Sequence, residues 1–217
     1  MTAADHLRIT EIFHSLQGEA RSVGIPTVFV RLTGCPLRCQ YCDTAYAFEG
    51  GKQQSLVDIV QTVKDFNCDY VTVTGGEPLA QPNCLPLLSQ LCDLGLQVSL
   101  ETSGAMAIDD VDDRVSVVLD LKTPASEEVD RNRLDNIKLL KSKDQVKFVI
   151  CDRGDYEWSR SKLLEYNLNE RAGEVLFSPS HEQLPARELA EWILEDRLRV
   201  RLQLQLHKLL WGAEQGR

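Results

Sequence analysis

TVFVRLTGCPLRCQYCDT, residues 27–44, runs from a β-rich apolar stretch straight into three cysteines. Val28, Phe29, Val30 and Leu32 favour an extended strand, and Gly34 and Pro36 end it and open a loop. In that loop Cys35, Cys39 and Cys42 form the pattern CxxxCxxC. A short turn of this kind can wrap three thiolates around one compact inorganic cluster. In a cubane of four irons, three thiolates leave one iron free to bind a small molecule. Two other readings of the spacing stay open: a Cys3His zinc site completed by His14 or another histidine, and three thiols that hold no metal. Zinc more often shows paired CxxC knuckles, and no second pair exists in this chain. Cys68, Cys84, Cys92 and Cys151 have no ligand spacing and read as small buried hydrophobes.

Outward from the loop, runs rich in Val, Leu or Phe recur at 70–74, 96–100, 115–121, 146–150, 174–177 and 201–206. Each is short and apolar, as expected of strands buried on both faces. Between them lie helical patterns. The clearest, at 55–67, sets Leu56, Ile59, Val60, Val63 and Phe66 on one face, with Ser55 as cap and Asp58 as its reciprocal partner. Weaker patterns cover 85–94, ended by Gly95, and 186–194, entered after Pro185. Strands alternating with helices imply parallel strands and right-handed crossovers. The fold class is therefore α/β, either an open doubly wound sheet or a full or partial barrel.

Either form gathers the loops that follow its strands on one rim, where chemistry is expected. The cysteine loop, GGEP at 75–78, ETSG at 101–104, DLK at 120–122 and SPSH at 178–181 all fall there. Each string alone reads equally well as an ordinary turn, and Glu101 taken singly reads as a salt-bridged rim residue. Before the first core strand, Ile12, Phe13 and Leu16 permit a short apolar anchor. Gln17 and Glu19 offer an amide and a carboxylate able to read the edge of a planar heterocycle. A polar turn around Gly18 fits that spacing as well. Arg31, inside the strand, needs an anion, either a substrate carboxylate or a structural acid.

The 217 residues are 43% apolar, enough for one core, which excludes a disordered chain. Without a long linker or a repeat, residues 1–217 are expected to form a single domain. With 24 basic against 33 acidic residues the net charge is −9 and no basic stripe stands out, so a nucleic acid partner is not expected. No segment approaches the roughly 18 apolar residues of a membrane span, and the chain is expected to be soluble and cytoplasmic. Seven cysteines, an odd number, argue against a disulfide framework.

With CxxxCxxC, TGGEP and ETSG in this order, the chain resembles the radical S-adenosylmethionine (SAM) superfamily. LQGEA, FVRLTGCPLRCQYCDT, DLK and the closing LQLHK make it similar to the 7-carboxy-7-deazaguanine synthase family over residues 8–212. The resemblance implies a modified, incomplete β/α barrel with parallel strands and a homodimer. It implies a lyase that converts 6-carboxy-5,6,7,8-tetrahydropterin to 7-carboxy-7-deazaguanine with loss of ammonia, toward queuosine, using electrons from a donor such as flavodoxin. Cys35, Cys39 and Cys42 would hold a 4Fe-4S cluster. Tyr41, Cys42, Asp43, Gly76, Asp120, Leu121, Lys122, Ser178, Pro179, Ser180 and His181 would contact SAM. Leu16, Gln17, Gly18, Arg31 and Thr74, within a substrate segment at 8–26, would contact the pterin, with Glu19 a weaker candidate. Thr44 would be a Mg²⁺ ligand. Residues 209–217 extend past the His-Lys pair at 207–208, and no role is carried over to them. A glycyl-radical activating enzyme and a non-catalytic zinc or iron-sulfur module are the rival readings.

Overall fold

A computed structural model describes residues 5–212 and 214–217. Nine strands form one sheet: β1 (His6–Leu16), β2 (Pro26–Leu32), β3 (Lys52–Ser55), β4 (Tyr70–Gly75), β5 (Gln97–Thr102), β6 (Ser116–Asp120), β7 (Gln145–Ile150), β8 (Glu174–Pro179) and β9 (Arg201–Leu202). Their order is β3-β1-β2-β4-β5-β6-β7-β8-β9. From β2 to β9 neighbours are parallel and follow chain order, while β1 pairs antiparallel with both β2 and β3. A doubly wound sheet reverses its strand order at a switch point. The parallel strands of this one do not, and its outermost strands do not meet, so it is an incomplete barrel of the expected α/β class.

The strands are not buried alike on both faces. Along β2, β4, β5, β6 and β7, Val28, Val30, Leu32, Val71, Val73, Val98, Leu100, Val117, Leu119, Val146, Phe148 and Ile150 face one core. The residues between them are Phe29, Arg31, Thr72, Thr74, Ser99, Glu101, Val118, Asp120, Lys147 and Val149. Each sits on the opposite face, because side chains alternate along a strand. The outer face is covered by α1 (Leu56–Asp65), α2 (Cys84–Asp93), α3 (Arg153–Glu165) and α5 (Ala186–Glu195), with a short α4 (Leu168–Arg171) before β8.

Ser55 caps α1 as its sequence implies: its hydroxyl accepts from the Asp58 amide at 3.1 Å. Leu56, Ile59 and Val63 are buried, each contributing roughly 1.5–3 kcal/mol. Phe66, expected on the same face, lies past the helix end and is exposed. The helix α3 carries only a sparse apolar stripe and starts on the Asp152 carboxylate, which accepts from the Asp155 amide at 2.9 Å.

Two features at the ends of the chain depart from the strand pattern read in the sequence. The segment 8–26, placed before the first core strand, itself contributes a strand, since β1 occupies His6–Leu16. A bulge between Ile9 and Glu11 breaks its period of two: Leu7 and Ile9 are buried, the core face then passes to Ile12, and Glu11 and Phe13 point the other way. The run 201–206 is strand for two residues only. It leaves the sheet at Gln203, and the Leu206 amide donates to the Gly18 carbonyl at 2.9 Å, where α6 (Leu206–Trp211) begins.

Candidate active site

The polar face of the sheet opens into a cavity of about 430 Å³ at the rim where the parallel strands end. Cys35, Cys39, Cys42, Gly76, Asp120, Lys122 and Ser178 line one side. Leu16, Gln17, Gly18, Glu19, Arg31, Thr74 and Glu101 line the other. His14, named for a zinc site, lies outside this space, against Phe66. Of the residues that the family resemblance implies for ligand or metal contact, all but one border the space. The exception is Leu121, whose side chain lies fully buried in the outer core. Only its backbone faces the rim strands, with its amide donating to the Lys147 carbonyl at 2.9 Å.

The cysteine loop is held from behind. The Gly34 amide donates to Ala47, and the Gly34 carbonyl accepts from the Glu77 amide at 2.9 Å. Gly76 has to be glycine: a Cβ there would lie 2.2 Å from the Gly34 oxygen and 2.8 Å from the Cys35 Cβ. The Glu77 carboxylate, fully buried, accepts from the Thr102 hydroxyl at 2.9 Å and the Ser103 amide at 2.7 Å. The GGEP turn is thereby locked to ETSG, and Glu77 has a structural role.

All seven cysteines are free. Burial pushes the Cys35 thiol up and the Cys39 thiol up to about 11. Left alone these groups stay neutral, and a bound metal would displace their protons. Among the described residues no group of three or more His, Cys, Asp and Glu is gathered tightly enough to hold a single metal ion. Three thiols on one loop suit a cluster with a separate iron for each sulfur. Cys84, Cys92 and Cys151 are buried as expected, whereas Cys68 is only half-buried, and its thiol donates to the Pro26 carbonyl at 3.2 Å.

Beside the loop the cavity holds an ionic network. Lys122 Nζ sits 3.1 Å from Asp120 Oδ2 and 5.8 Å from the centre of the Tyr41 ring. Lys147 Nζ lies 2.8 Å from Glu19 Oε2 and 3.5 Å from Asp120 Oδ2. Burial alone would raise the Asp120 carboxyl, but Lys122 and Lys147 hold it below the usual range. Burial likewise opposes ionisation of Glu19, and Lys147 again outweighs it. Of the buried polar atoms without a protein partner among the described residues, two belong to residues lining this cavity, the Tyr41 hydroxyl and Asp120 Oδ1. Such atoms cost stability unless a ligand or water serves them.

On the far side, Arg31 Nε is 2.8 Å from Glu11 Oε1, and the Tyr46 hydroxyl donates to the same oxygen at 2.8 Å. Of the two anions considered for Arg31, a structural acid is therefore present, and it is a glutamate. Phe13 and Phe29 stack at 4.9 Å next to it. The Gln17 amide is already engaged: Nε2 donates to Thr72 at 3.0 Å and to Glu101 at 3.4 Å, and Oε1 accepts from the Glu19 amide. Among the described residues Glu101 forms no ion pair, contrary to expectation. It accepts from the Thr74 hydroxyl at 3.2 Å, and burial pushes its carboxyl up.

The C-terminal segment closes one wall. Gln205 Nε2 donates to Glu19 at 2.9 Å and Asp43 at 3.3 Å, Lys208 Nζ is 3.4 Å from Asp43, and His207 packs on Gly18, where a Cβ would meet its Nδ1 at 2.1 Å. Beyond α6, Gly212 and Glu214 to Arg217 also border the cavity. The Thr44 hydroxyl donates to Asp43 Oδ1 at 2.8 Å. The sequence reading passed over Glu11, Tyr46, Lys147 and Gln205 as site residues. The alternation along β7 marks Lys147, because in VKFVI it stands between core residues; the others come from the bulged β1 and from loops, where no period signals them.

The Radical SAM superfamily profile matches residues 29–152. A 7-carboxy-7-deazaguanine synthase of Chlorobaculum tepidum is 42% identical, over 99% of this chain and 98% of its own. One from Koribacter versatilis is 41% identical, over 96% and 98%. The chain belongs to the 7-carboxy-7-deazaguanine synthase family. In fold it is similar to the crystal structure of QueE from Escherichia coli, with a TM-score of 0.72 at 23% identity over 93% of this chain and 95% of that one. Full-length similarity to these synthases disfavours the activating-enzyme and non-catalytic readings. As a member of this radical SAM family the chain uses a 4Fe-4S cluster and SAM. The three free thiols and the partnerless Tyr41 and Asp120 atoms fit those groups.

Proposed function

We propose that this chain converts 6-carboxy-5,6,7,8-tetrahydropterin to 7-carboxy-7-deazaguanine with loss of ammonia, in deazapurine biosynthesis toward queuosine. The observation that carries the reading is the meeting, in one cavity, of the cysteine loop with a polar wall built from β1, β2, β4 and β5. Cys35, Cys39 and Cys42 would hold the cluster. Asp120 Oδ1 and the Tyr41 hydroxyl would serve SAM, with Asp43, Gly76, Lys122 and residues 178–181 around it. Once bound, the cluster and SAM supply an electron and a carbon radical able to take a hydrogen from the substrate.

The protein's own work is placement and exclusion of water. Arg31, oriented by Glu11 and Tyr46, presents a cation to the substrate carboxylate. Phe13 and Phe29 give a flat apolar flank for a planar ring. Gln17, its amide spent on Thr72 and Glu101, fixes the loop that carries Leu16, Gly18 and Glu19. The chain works as a homodimer and takes electrons from a reducing partner such as flavodoxin.

Thr44 would ligate a Mg²⁺ ion completed by water and substrate oxygens, a donor set suited to a hard cation. Thr44→Ala should flatten the magnesium dependence of turnover; an unaltered magnesium response removes Thr44 from the site. The deciding experiment for the reaction is incubation of anaerobically reconstituted protein with SAM, dithionite and the carboxylated pterin. Chromatography should show the deazaguanine acid. A loaded cluster that cleaves SAM yet yields no such product overturns the reading.

A further inference from the structure

Lys147 stands where the two halves of the cavity meet. It projects from β7, opposite Asp120 of β6 in register, and its side chain is 12% exposed. Its ammonium touches one carboxylate from each half: Glu19 at 2.8 Å, on the loop after β1, and Asp120 at 3.5 Å, beside the cysteine loop. Glu101 lies within electrostatic reach as well, with its carboxyl pushed up by burial. Asp120 itself is unevenly served, because Oδ2 receives both lysines while the buried Oδ1 has no partner.

These contacts define a shared cation. A donor arriving at Asp120 Oδ1 draws on the same carboxylate charge that holds Lys147 at its longer contact. The ammonium then commits to Glu19 and fixes that carboxylate, together with the Gln205 amide that donates to it at 2.9 Å, at the pterin side of the cavity. A ligand that biases such a shared element changes the affinity of the other site, and the effect is reciprocal.

We infer that Lys147 is a positioning residue that couples the two ligand sites, so that SAM bound beside Asp120 tightens binding of the pterin substrate beside Glu19. The inference rests on the function proposed above. It is tested on the full-length, anaerobically reconstituted protein by calorimetric titration of the carboxylated pterin with and without saturating SAM. Wild type should bind the pterin roughly tenfold more tightly with SAM, within the usual range for coupled sites. Lys147→Met should bring the ratio near one with iron content and SAM affinity retained, and Lys147→Arg should restore most of it.

Removing the buried cation leaves Glu19 without an ion pair and Asp120 with Lys122 alone, and can unfold a protein. Glu19→Gln therefore serves as a second variant, since it leaves Lys147 paired with Asp120 and should abolish the ratio as well. A ratio unchanged in Lys147→Met, or in Glu19→Gln where Lys147→Met does not fold, overturns the inference. So does a ratio of one in wild type. In all of these results the pterin still binds and the proposed substrate survives; if the pterin fails to bind wild type under either condition, the proposed substrate falls and the coupling falls with it.

Discussion

The two faces of the barrel sheet are made from the same strands and obey opposite rules. On the outer face, Val30, Val73, Leu100, Leu119 and Phe148 are fully buried beneath the helices. On the inner face, the last inward residue of each strand in turn is Arg31, Thr74, Glu101, Asp120 or Ser178, with Lys147 on β7 one step deeper. Apolar burial is indifferent to direction and simply accumulates with area. Buried charge has to be matched atom by atom, and the Lys147–Glu19–Asp120 network does so while leaving Asp120 Oδ1 open. Stability is therefore lodged outside the sheet and chemistry inside it. A substitution should damage one and spare the other.

The largest expected effect belongs to the rim. Cys39→Ala removes the middle thiol of a loop that adds little to the outer core. Product formation should vanish and bound iron should fall sharply. The melting temperature of the apoprotein should stay close to wild type, because Cys39 is half-exposed and outside the core cluster. Iron retained at the wild-type level would break the assignment of the loop.

The outer face predicts the converse. Leu100→Ala empties a fully buried site at the centre of the core, which costs about 2–5 kcal/mol. In a chain of this size that lowers the melting temperature by roughly 4–20 °C. Turnover per folded molecule should be retained below the transition, since Leu100 faces away from the cavity. A variant as stable as wild type but impaired in turnover would mean that the two faces are not separable.

This division was half legible in the sequence. The alternation of strands and helices fixed the class, and the glycines and cysteines after β2 and β4 located the rim, because Gly and Pro mark strand ends by steric rule. Doubly wound and barrel forms could not be told apart, since strand order depends on long-range pairing that local periodicity does not carry. Reading the strands as apolar on both faces missed the period of two in VFVRL, VTVT and VKFVI, and with it Lys147. The β1 strand escaped because its bulge puts Ile9 and Ile12 on one face at a spacing of three, which imitates a helix turn. Glu11 and Tyr46 serve Arg31 from 20 and 15 positions away along the chain, a pairing only the folded register reveals.

The smallest effect tests the rule for buried charge at its weakest point. Glu101 lies on the inner face with two hydrogen-bond donors, Thr74 and Gln17, and no ion pair of its own. Burial holds its carboxyl above the ordinary range despite the pull of Lys147. A carboxyl raised in this way favours the folded state while protonated, and that contribution is lost as pH climbs through the raised value. Glutamine keeps the shape and cannot ionise. Glu101→Gln should therefore melt slightly above wild type at about pH 8, with the difference shrinking toward zero near about pH 4, where the unfolded carboxyl is protonated too. Comparing the two proteins at each pH removes the titration of every other group that does not touch Glu101. If wild type is instead the more stable at the alkaline end, the attraction of Lys147 outweighs desolvation at Glu101. The inner face would then hold that acid charged, as it does Glu19 and Asp120.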